Sequence, residues 1–219
     1  MKKAVIFDFD GTIIDTETTW FDVYRDLLKE KFNIELPLKE FAKSIGTTDE
    51  AFYQYIELTI GTKIEPQNIN KLANELFLEK RSTLSIRPGV KEKLAEAKEL
   101  GYLIGLASSS SRVWVEGFLR QFELWEHFSV IKTSEDVEKV KPDPALYLKA
   151  LEELKVEPQQ AYAVEDSVNG AIAAINAGMK CIVVPNQVTS FLRFPEKTFR
   201  FETFDEFNFG QILSYKKFV

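Results

Sequence analysis

Two aspartates follow a short apolar segment near the start of the chain. Asp8 and Asp10 come directly after residues 3–7, whose apolar and β-branched side chains predict a buried strand. Side chains two residues apart in an extended chain point to the same side. One carboxylate can therefore attack phosphorus while the other handles the proton of the leaving group. Gly11 permits a sharp turn immediately after the pair.

Further polar residues lie where later predicted strands end. The second and fourth strand ends and the loop after the third strand supply Ser108, Ser109, Ser110, Glu165, Asp166 and Lys141. In open α/β sheets, ligands bind beyond the carboxyl ends of the strands. Four carboxylates gathered at that edge would repel one another unless a cation lay among them. All the available donors are oxygens, which suits Mg²⁺.

A lysine and several hydroxyls complete the set. Lys141 adds a fixed positive charge, and Ser108 with the neighbouring backbone N–H groups can hold phosphate oxygens. These groups match phosphoryl transfer by positioning and charge neutralisation. The alternative is that Asp8 to Gly11 form only a turn after a strand. That alternative loses weight because the other groups follow in order along the chain.

The elements that must position these residues alternate between strand and helix. Strand patterns at 3–7, 102–107, 128–131, 162–164 and 181–184 alternate with helical patterns at 90–100, 111–122, 144–154 and 168–177. This alternation predicts an α/β fold, a Rossmann-like doubly wound parallel sheet with helices on both faces. Residues 16–84 instead show helical spacing, with prolines and glycines that divide them into about four helices. We therefore expect a core of residues 1–15 and 85–219 and an inserted helical domain of residues 16–84.

Composition narrows the function classes. The 219-residue chain has 28 basic and 34 acidic residues and a formal charge of −6, which disfavours nucleic acid as a partner. No apolar run approaches a membrane span, and the N-terminal run is too short for a signal peptide. The single cysteine, Cys181, allows no internal disulfide and is typical of a cytoplasmic protein. The single histidine excludes a multi-histidine metal site. We expect a monomer.

The last forty residues are rich in phenylalanine. The tail contains Phe191, Phe194, Phe199, Phe201, Phe204, Phe207 and Phe209. Phe199 and Phe201 alternate as in an edge strand, and the others would pack a last helix onto the sheet. An exposed partner-binding patch is the alternative.

The motifs together resemble those of the haloacid dehalogenase superfamily. The first motif is similar to Asp8-Phe9-Asp10-Gly11-Thr12, the second to Leu106-Ala107-Ser108, the third to Lys141-Pro142 and the fourth to Val164-Glu165-Asp166-Ser167. The inserted helices stand where the family has its C1 cap. The similarity covers nearly the whole chain and is closest to the branch of β-phosphoglucomutase and related sugar-phosphate phosphatases.

The resemblance implies a role for each motif residue. Asp8 would be the nucleophile that forms an aspartyl-phosphate, and Asp10 the general acid and then base. Ser108 and Lys141 would hold the phosphoryl group. The Mg²⁺ site would consist of Asp8, Glu165, Asp166 and the backbone carbonyl of Asp10. A four-helix cap would close over the substrate and exclude water.

Departures from the family pattern narrow the reaction. Dehalogenases and the phosphonate-cleaving relatives lack the second acid, which is Asp10 here. Compared with β-phosphoglucomutase, Trp20 replaces a histidine and Asp49 follows Gly46-Thr47-Thr48 where the mutase has an arginine that grips the distal phosphate. We therefore predict a phosphatase acting on a small phosphorylated metabolite such as a sugar phosphate. A phosphomutase is the first alternative, and a receiver-like phospho-aspartate switch is the alternative from another class.

Substrate recognition is less sharply encoded. The residues assigned to substrate binding are Gly11, Thr12, Thr16, Thr47, Ser109 and Ser110. Trp20 is equally compatible with the substrate pocket and with the core of the insert. The basic candidates in the insert, Lys43, Lys80 and Arg81, are typical of solvated surface charges. Asn169 could steady the acidic site or simply begin a helix.

Overall fold

A computed structural model describes residues 2–45 and 50–212 and contains six parallel strands. The strands are β1 (Ala4–Phe7), β2 (Leu103–Ala107), β3 (Val130–Lys132), β4 (Ala161–Glu165), β5 (Lys180–Val183) and β6 (Thr198–Arg200). Their order across the sheet is β3-β2-β1-β4-β5-β6. β1 lies at the centre, where Phe7 is in register with Leu106 on one side and Val164 on the other. The carboxyl ends of β1, β2 and β4 therefore lie side by side.

Helices cover both faces of this sheet. The helices that connect its strands are α5 (Val90–Glu99), α6 (Arg112–Gln121), α7 (Ala145–Leu154) and α8 (Val168–Asn176). Alternate side chains of β1 enter different apolar clusters: Val5 and Phe7 join one, and Ala4 and Ile6 join the other. Both clusters consist of buried side chains, so the sheet is the middle of three layers. The predicted α/β fold class is confirmed.

Between β1 and α5, the described residues form four further helices. They are α1 (Thr16–Phe32), α2 (Leu38–Phe41), α3 (Glu50–Ile60) and α4 (Pro66–Lys80). Asp15 caps α1 by accepting a hydrogen bond from the backbone N–H of Thr18 at 3.1 Å. Pro66 occupies the first turn of α4, where a missing N–H costs nothing. We call residues 16–84 the helical insert; the division of the chain into two domains stays a prediction.

The C-terminal phenylalanines pack into the core. β6 pairs with β5 as the sixth strand, at one edge of the sheet as predicted. Phe194, Phe199 and Phe201 are buried, as are the rings of residues 204, 207 and 209, whereas Phe191 is 43% exposed. The predicted last helix is wrong for the described residues up to 212. A single 3₁₀ turn, Phe204–Glu206, lies there, and the rings pack on the sheet without a helix.

Among the described residues, no helix has the length and apolar composition needed to cross a bilayer.

Candidate active site

Asp8 lies at the carboxyl end of β1 and pairs with the buried Lys141. The Lys141 ammonium donates to Asp8 Oδ1 at 2.5 Å, to Glu165 Oε1 at 2.7 Å and to the Ala107 carbonyl at 2.8 Å. Lys141 is 1% exposed, and Glu165 is fully buried. Three acceptors from the ends of three neighbouring strands therefore fix one ammonium group. We call Asp8, Lys141, Glu165 and Asp166 the strand-end cluster.

Glu165, the last residue of β4, and Asp166 after it also accept hydrogen bonds from neighbouring side chains. Tyr147 Oη donates to Glu165 Oε1 at 2.5 Å, and Ser167 Oγ donates to Glu165 Oε2 at 3.2 Å. Asp166 accepts from Thr12 Oγ1 at 3.1 Å and from Asn186 Nδ2 at 2.7 Å. These bonds orient the carboxylates without neutralising them.

Burial and neighbouring charges shift the pKa values of the cluster. Burial raises the pKa of Asp8 to about 7, with Lys141 opposing the shift and Glu165 adding to it. Burial, together with the charges of Asp8 and Glu165, raises the pKa of Asp166 well above its usual value. Burial alone would lower the pKa of Lys141, but its ion pairs with Asp8 and Glu165 outweigh burial and raise it.

The cluster fits a divalent cation. Oxygens of Asp8, Glu165 and Asp166 all lie within 4.8 Å of one another. Three carboxylates face one ammonium, so the fully ionised cluster has an excess of two negative charges. An all-oxygen donor set with that excess suits Mg²⁺. These residues would hold the ion and the phosphoryl group at the same edge of the sheet.

The Asp10 carboxylate accepts hydrogen bonds from the helical insert and from the core. Asp10 Oδ1 accepts from Thr16 Oγ1 at 2.9 Å and from the indole Nε1 of Trp114 at 2.8 Å. Asp10 Oδ2 accepts from Ser110 Oγ at 2.6 Å, and Ser108 Oγ lies 3.5 Å away. Its carboxylate still lines the same cavity as Asp8.

A cavity of about 490 Å³ opens beside these acids. Its lining from the core includes Asp8, Asp10, the serines 108–111, Trp114, Asp166 and Ser167. The remaining lining comes from the helical insert. We call that side the insert wall; it comprises Glu17, Trp20, Tyr24, Phe41, Ser44, Ile45, Asn70 and Asn74.

The residues assigned to substrate binding fall into two groups. Ser109 and Ser110 line the cavity. Thr12 and Thr16 are fully buried and give their hydroxyls to Asp166 and Asp10, so the structure places them behind the acids and not at the cavity surface. Thr47 lies outside the described residues.

Gly11 is required by space as well as by backbone conformation. Its φ is +78°, which favours glycine, and an added Cβ would lie 2.2 Å from Asp166 Oδ2. The residue therefore lets the chain turn directly against the acid. Gly170 is equally close to Glu165, where an added Cβ would meet Oε2 at 2.0 Å.

The structure resolves two residues that the sequence left open. Trp20 both lines the cavity and stacks on Phe77 of α4, with ring centroids 4.0 Å apart. Asn169 Nδ2 donates to the Ile45 carbonyl at 2.9 Å, so it joins α8 to the helical insert and does not touch the acids.

Sequence reasoning did not assign several residues of the site, and four of them illustrate why. They are Glu17 and Trp114 on the cavity and Tyr147 and Asn186 behind the acids. Asn186 follows β5, so applying the strand-end rule to the fifth strand would have found it. Trp114 and Tyr147 lie within helices α6 and α7, where their helical spacing marks them only as core residues.

Comparison with known proteins agrees with this geometry. The family model described as haloacid dehalogenase-like hydrolase matches residues 5–184, which contain the strand-end cluster and the helical insert. The chain belongs to this family.

Two relatives and one solved structure of haloacid dehalogenase-like hydrolases show the extent of the similarity. A protein of Bacillus subtilis (strain 168) named Putative phosphatase YhcW is 45% identical over 217 residues, 98% of each chain. Hexitol phosphatase B of Escherichia coli (strain K12) is 32% identical over 192 residues, 83% of each. The crystal structure of CbbY from Rhodobacter sphaeroides in complex with phosphate has a TM-score of 0.74 and 28% identity. The match covers 94% of this chain and 96% of CbbY. CbbY has also been solved with xylulose-(1,5)bisphosphate.

Proposed function

We propose that this haloacid dehalogenase-like hydrolase is a Mg²⁺-dependent phosphatase that cleaves a small phosphorylated metabolite through an aspartyl-phosphate on Asp8. The observation that carries the proposal is the placement of Asp8 against Lys141 and the two acids after β4, on the wall of a cavity that also contains Asp10. The hydrolase family and the phosphatase names of its relatives support the same reaction class.

The reaction divides into two displacements at phosphorus. A carboxylate oxygen of Asp8 bonds to phosphorus as the ester bond breaks, and the leaving alkoxide takes a proton from the Asp10 carboxyl. Asp10, now a carboxylate, then takes a proton from water as the water oxygen attacks the same phosphorus. The phosphorus bond to Asp8 breaks, which releases inorganic phosphate and restores the Asp8 carboxylate.

The other groups stabilise charge. Lys141 and Ser108 hold the phosphoryl oxygens, and the Lys141 ammonium lowers the pKa of Asp8 against the effect of burial, which favours the ionised nucleophile. Asp8, Glu165, Asp166 and the backbone carbonyl of Asp10 would hold Mg²⁺, which would supply positive charge beside the phosphoryl group. Thr16, Ser110 and Trp114 orient the Asp10 carboxyl.

We propose that the helical insert acts as a cap over this site. Part of the cavity lining comes from residues 16–84, so movement of the insert would change access to Asp8 and exclude water when closed. The substrate class, a sugar phosphate or related metabolite, is supported by the relative named Hexitol phosphatase B. The monomeric state and the cytoplasmic location stay predictions.

The first test is phosphate release from small phosphorylated metabolites with and without Mg²⁺. Release should need the metal and should fall by roughly 10⁴-fold or more in Asp8→Asn, because the amide cannot form the phosphoenzyme. Undiminished release by Asp8→Asn would contradict the proposal. Release by the unchanged protein after chelation of divalent ions would contradict the metal requirement.

A further inference from the structure

The insert wall contains no basic side chain among its described residues. It consists of three aromatic rings, two amides, a hydroxyl, an isoleucine and the carboxyl of Glu17. In the proposed reaction the transferred phosphoryl group binds at Asp8, on the core side of the cavity, so the rest of the substrate faces a described wall without positive charge.

The basic residues that the sequence offered in the helical insert are engaged elsewhere. Lys43 pairs with Glu40 at 2.6 Å, and Lys80 pairs with Asp26 at 3.5 Å. The Arg81 guanidinium lies 4.5 Å from the centre of the Phe118 ring. None of the three lines the cavity.

Glu17 adds negative charge where a distal group of the substrate would lie. Its carboxyl has no hydrogen bond or ion pair to any residue in the described ranges, whereas each acid of the strand-end cluster accepts at least one hydrogen bond. Burial, followed by the charges of Asp10 and Asp166, raises the pKa of Glu17. Ionised, the group repels an anion; protonated, it offers one hydroxyl donor but no positive charge.

The amide of Asn70, on the same wall, contributes a further polar group. Asn70 Oδ1 accepts from the hydroxyls of Tyr24, at 2.9 Å, and Tyr53. Because both tyrosines occupy the amide oxygen, its NH₂ group is left without a partner among residues 2–45 and 50–212. An NH₂ group and a carboxyl on one wall are partners for neutral hydroxyl groups.

We infer that the substrate carries no second anionic group: its leaving group is an uncharged, hydroxyl-bearing molecule of the sugar or polyol class, and Glu17 helps to exclude anions. The inference rests on the proposed phosphatase function. An anion desolvated in this cavity would find no positive partner at the insert wall, which is costly. A hydroxyl group would meet matched donors and acceptors there. The CbbY complex with xylulose-(1,5)bisphosphate indicates that the exclusion belongs to this chain's side chains and not to the fold.

Matched substrate pairs test the inference. Each pair shares its phosphoester and differs in a distal anion: glucose 6-phosphate with 6-phosphogluconate, fructose 6-phosphate with fructose 1,6-bisphosphate, and glycerol 3-phosphate with 3-phosphoglycerate. We expect kcat/KM to be at least about tenfold higher for the neutral member of a pair. Equal or faster cleavage of the charged member would overturn the inference and leave the phosphatase function intact.

Binding to Asp8→Asn in the presence of Mg²⁺, measured by calorimetry, separates recognition from chemistry. The neutral member of a pair should bind more tightly, and tighter binding of the charged member overturns the inference even without turnover. Failure of every substrate, including p-nitrophenyl phosphate, to release phosphate would instead contradict the proposed function itself.

Glu17→Gln tests the contribution of the carboxyl. The variant should narrow the preference for the neutral member by about threefold or more, with no change in thermal unfolding. Glu30→Gln, the same change at an exposed position of α1, should leave the preference unaltered. An unchanged preference in Glu17→Gln contradicts the role of Glu17.

Discussion

The two sides of the cavity differ in charge, burial and tolerance. The strand-end cluster places three carboxylates and one ammonium in a buried site, and each carboxylate accepts at least one hydrogen bond. The insert wall opposite is aromatic and amide-rich, with a single acid. The first side contains carboxylate oxygens that fit a divalent cation, and the second side is contributed by the helical insert.

Because of this difference, a substitution should cost more stability in the strand-end cluster than on the insert wall. A buried charge that loses its partner costs several kcal/mol, roughly 3–5, so no member of the strand-end cluster can change alone. Exchange of an aromatic or amide side chain on the insert wall alters packing and hydrogen bonding by smaller amounts. Substrate specificity can therefore vary while the chemistry stays fixed.

Of the substitutions considered, removal of Lys141 should have the largest effect on the free energy of unfolding and on kcat. Lys141→Met leaves Asp8 and Glu165 buried without their ammonium partner. We expect the metal-free protein to lose roughly 3–5 kcal/mol of unfolding free energy and kcat to fall by roughly 10²-fold or more. Urea denaturation after chelation measures the first, and phosphate release measures the second.

Lys31→Met is the matched control for that experiment. Lys31 pairs with Glu30 at 3.1 Å, but both side chains are at least half exposed. Its loss should change the unfolding free energy by at most about 1 kcal/mol. If Lys141→Met were as mild as Lys31→Met, the strand-end cluster would not be the constrained side of the cavity.

Trp114 contacts both sides of the cavity. Its substitution should lower kcat by less than the substitution of Lys141 does. Its indole N–H donates to Asp10. The centroid of its ring lies 5.2 Å from that of Phe77 in the helical insert and 4.9 Å from that of Phe118. Trp114→Phe keeps a ring and removes the donor. We expect kcat to fall by about tenfold, the worth of one hydrogen bond to a charged group, while KM changes by less than about twofold.

Trp125→Phe makes the same change in a tryptophan that does not line the cavity. Trp125 lies in a 3₁₀ turn after α6, with the Arg120 guanidinium 4.3 Å from its ring centre. Its kinetics should match those of the unchanged protein. A rise in KM with constant kcat in Trp114→Phe would show that the ring binds substrate and that the indole N–H does not position Asp10.

The same contrast explains what the sequence could predict. Asp8, Lys141, Glu165 and Asp166 follow strands or a loop at one sheet edge, so residue type and chain order sufficed to bring them together. The insert wall is assembled from α1, α2 and α4 and from the segment after α2. Which face of each helix meets the cavity depends on tertiary packing, and a helical pattern does not contain that information.

Three residues illustrate which positions relative to the cavity the sequence could not predict. Thr12 and Thr16 sit beside the motif acids in sequence, yet their hydroxyls turn onto those acids and away from the cavity. Asn70 lies on α4, far along the chain from every motif, and reaches the cavity only because α4 packs on α1. Position in the chain relative to the motifs therefore predicted neither that Thr12 and Thr16 lie behind the acids nor that Asn70 lies at the cavity.

The smallest change in kinetics is expected for Asn169, whose side-chain amide joins the core to the insert wall. Asn169 Nδ2 donates to the Ile45 carbonyl at 2.9 Å, which links α8 of the core to the insert wall. Asn169→Ala removes that hydrogen bond, worth about 1 kcal/mol, without touching an acid. We expect KM to rise by about two- to threefold at constant kcat, because the insert is then held less firmly against the core. Steady-state kinetics measure both quantities. Asn68→Ala, at an exposed position in the first turn of α4, is the control and should change neither. A fall in kcat at constant KM would show that Asn169 acts on the acids, so that the two sides are coupled more tightly than their contacts indicate.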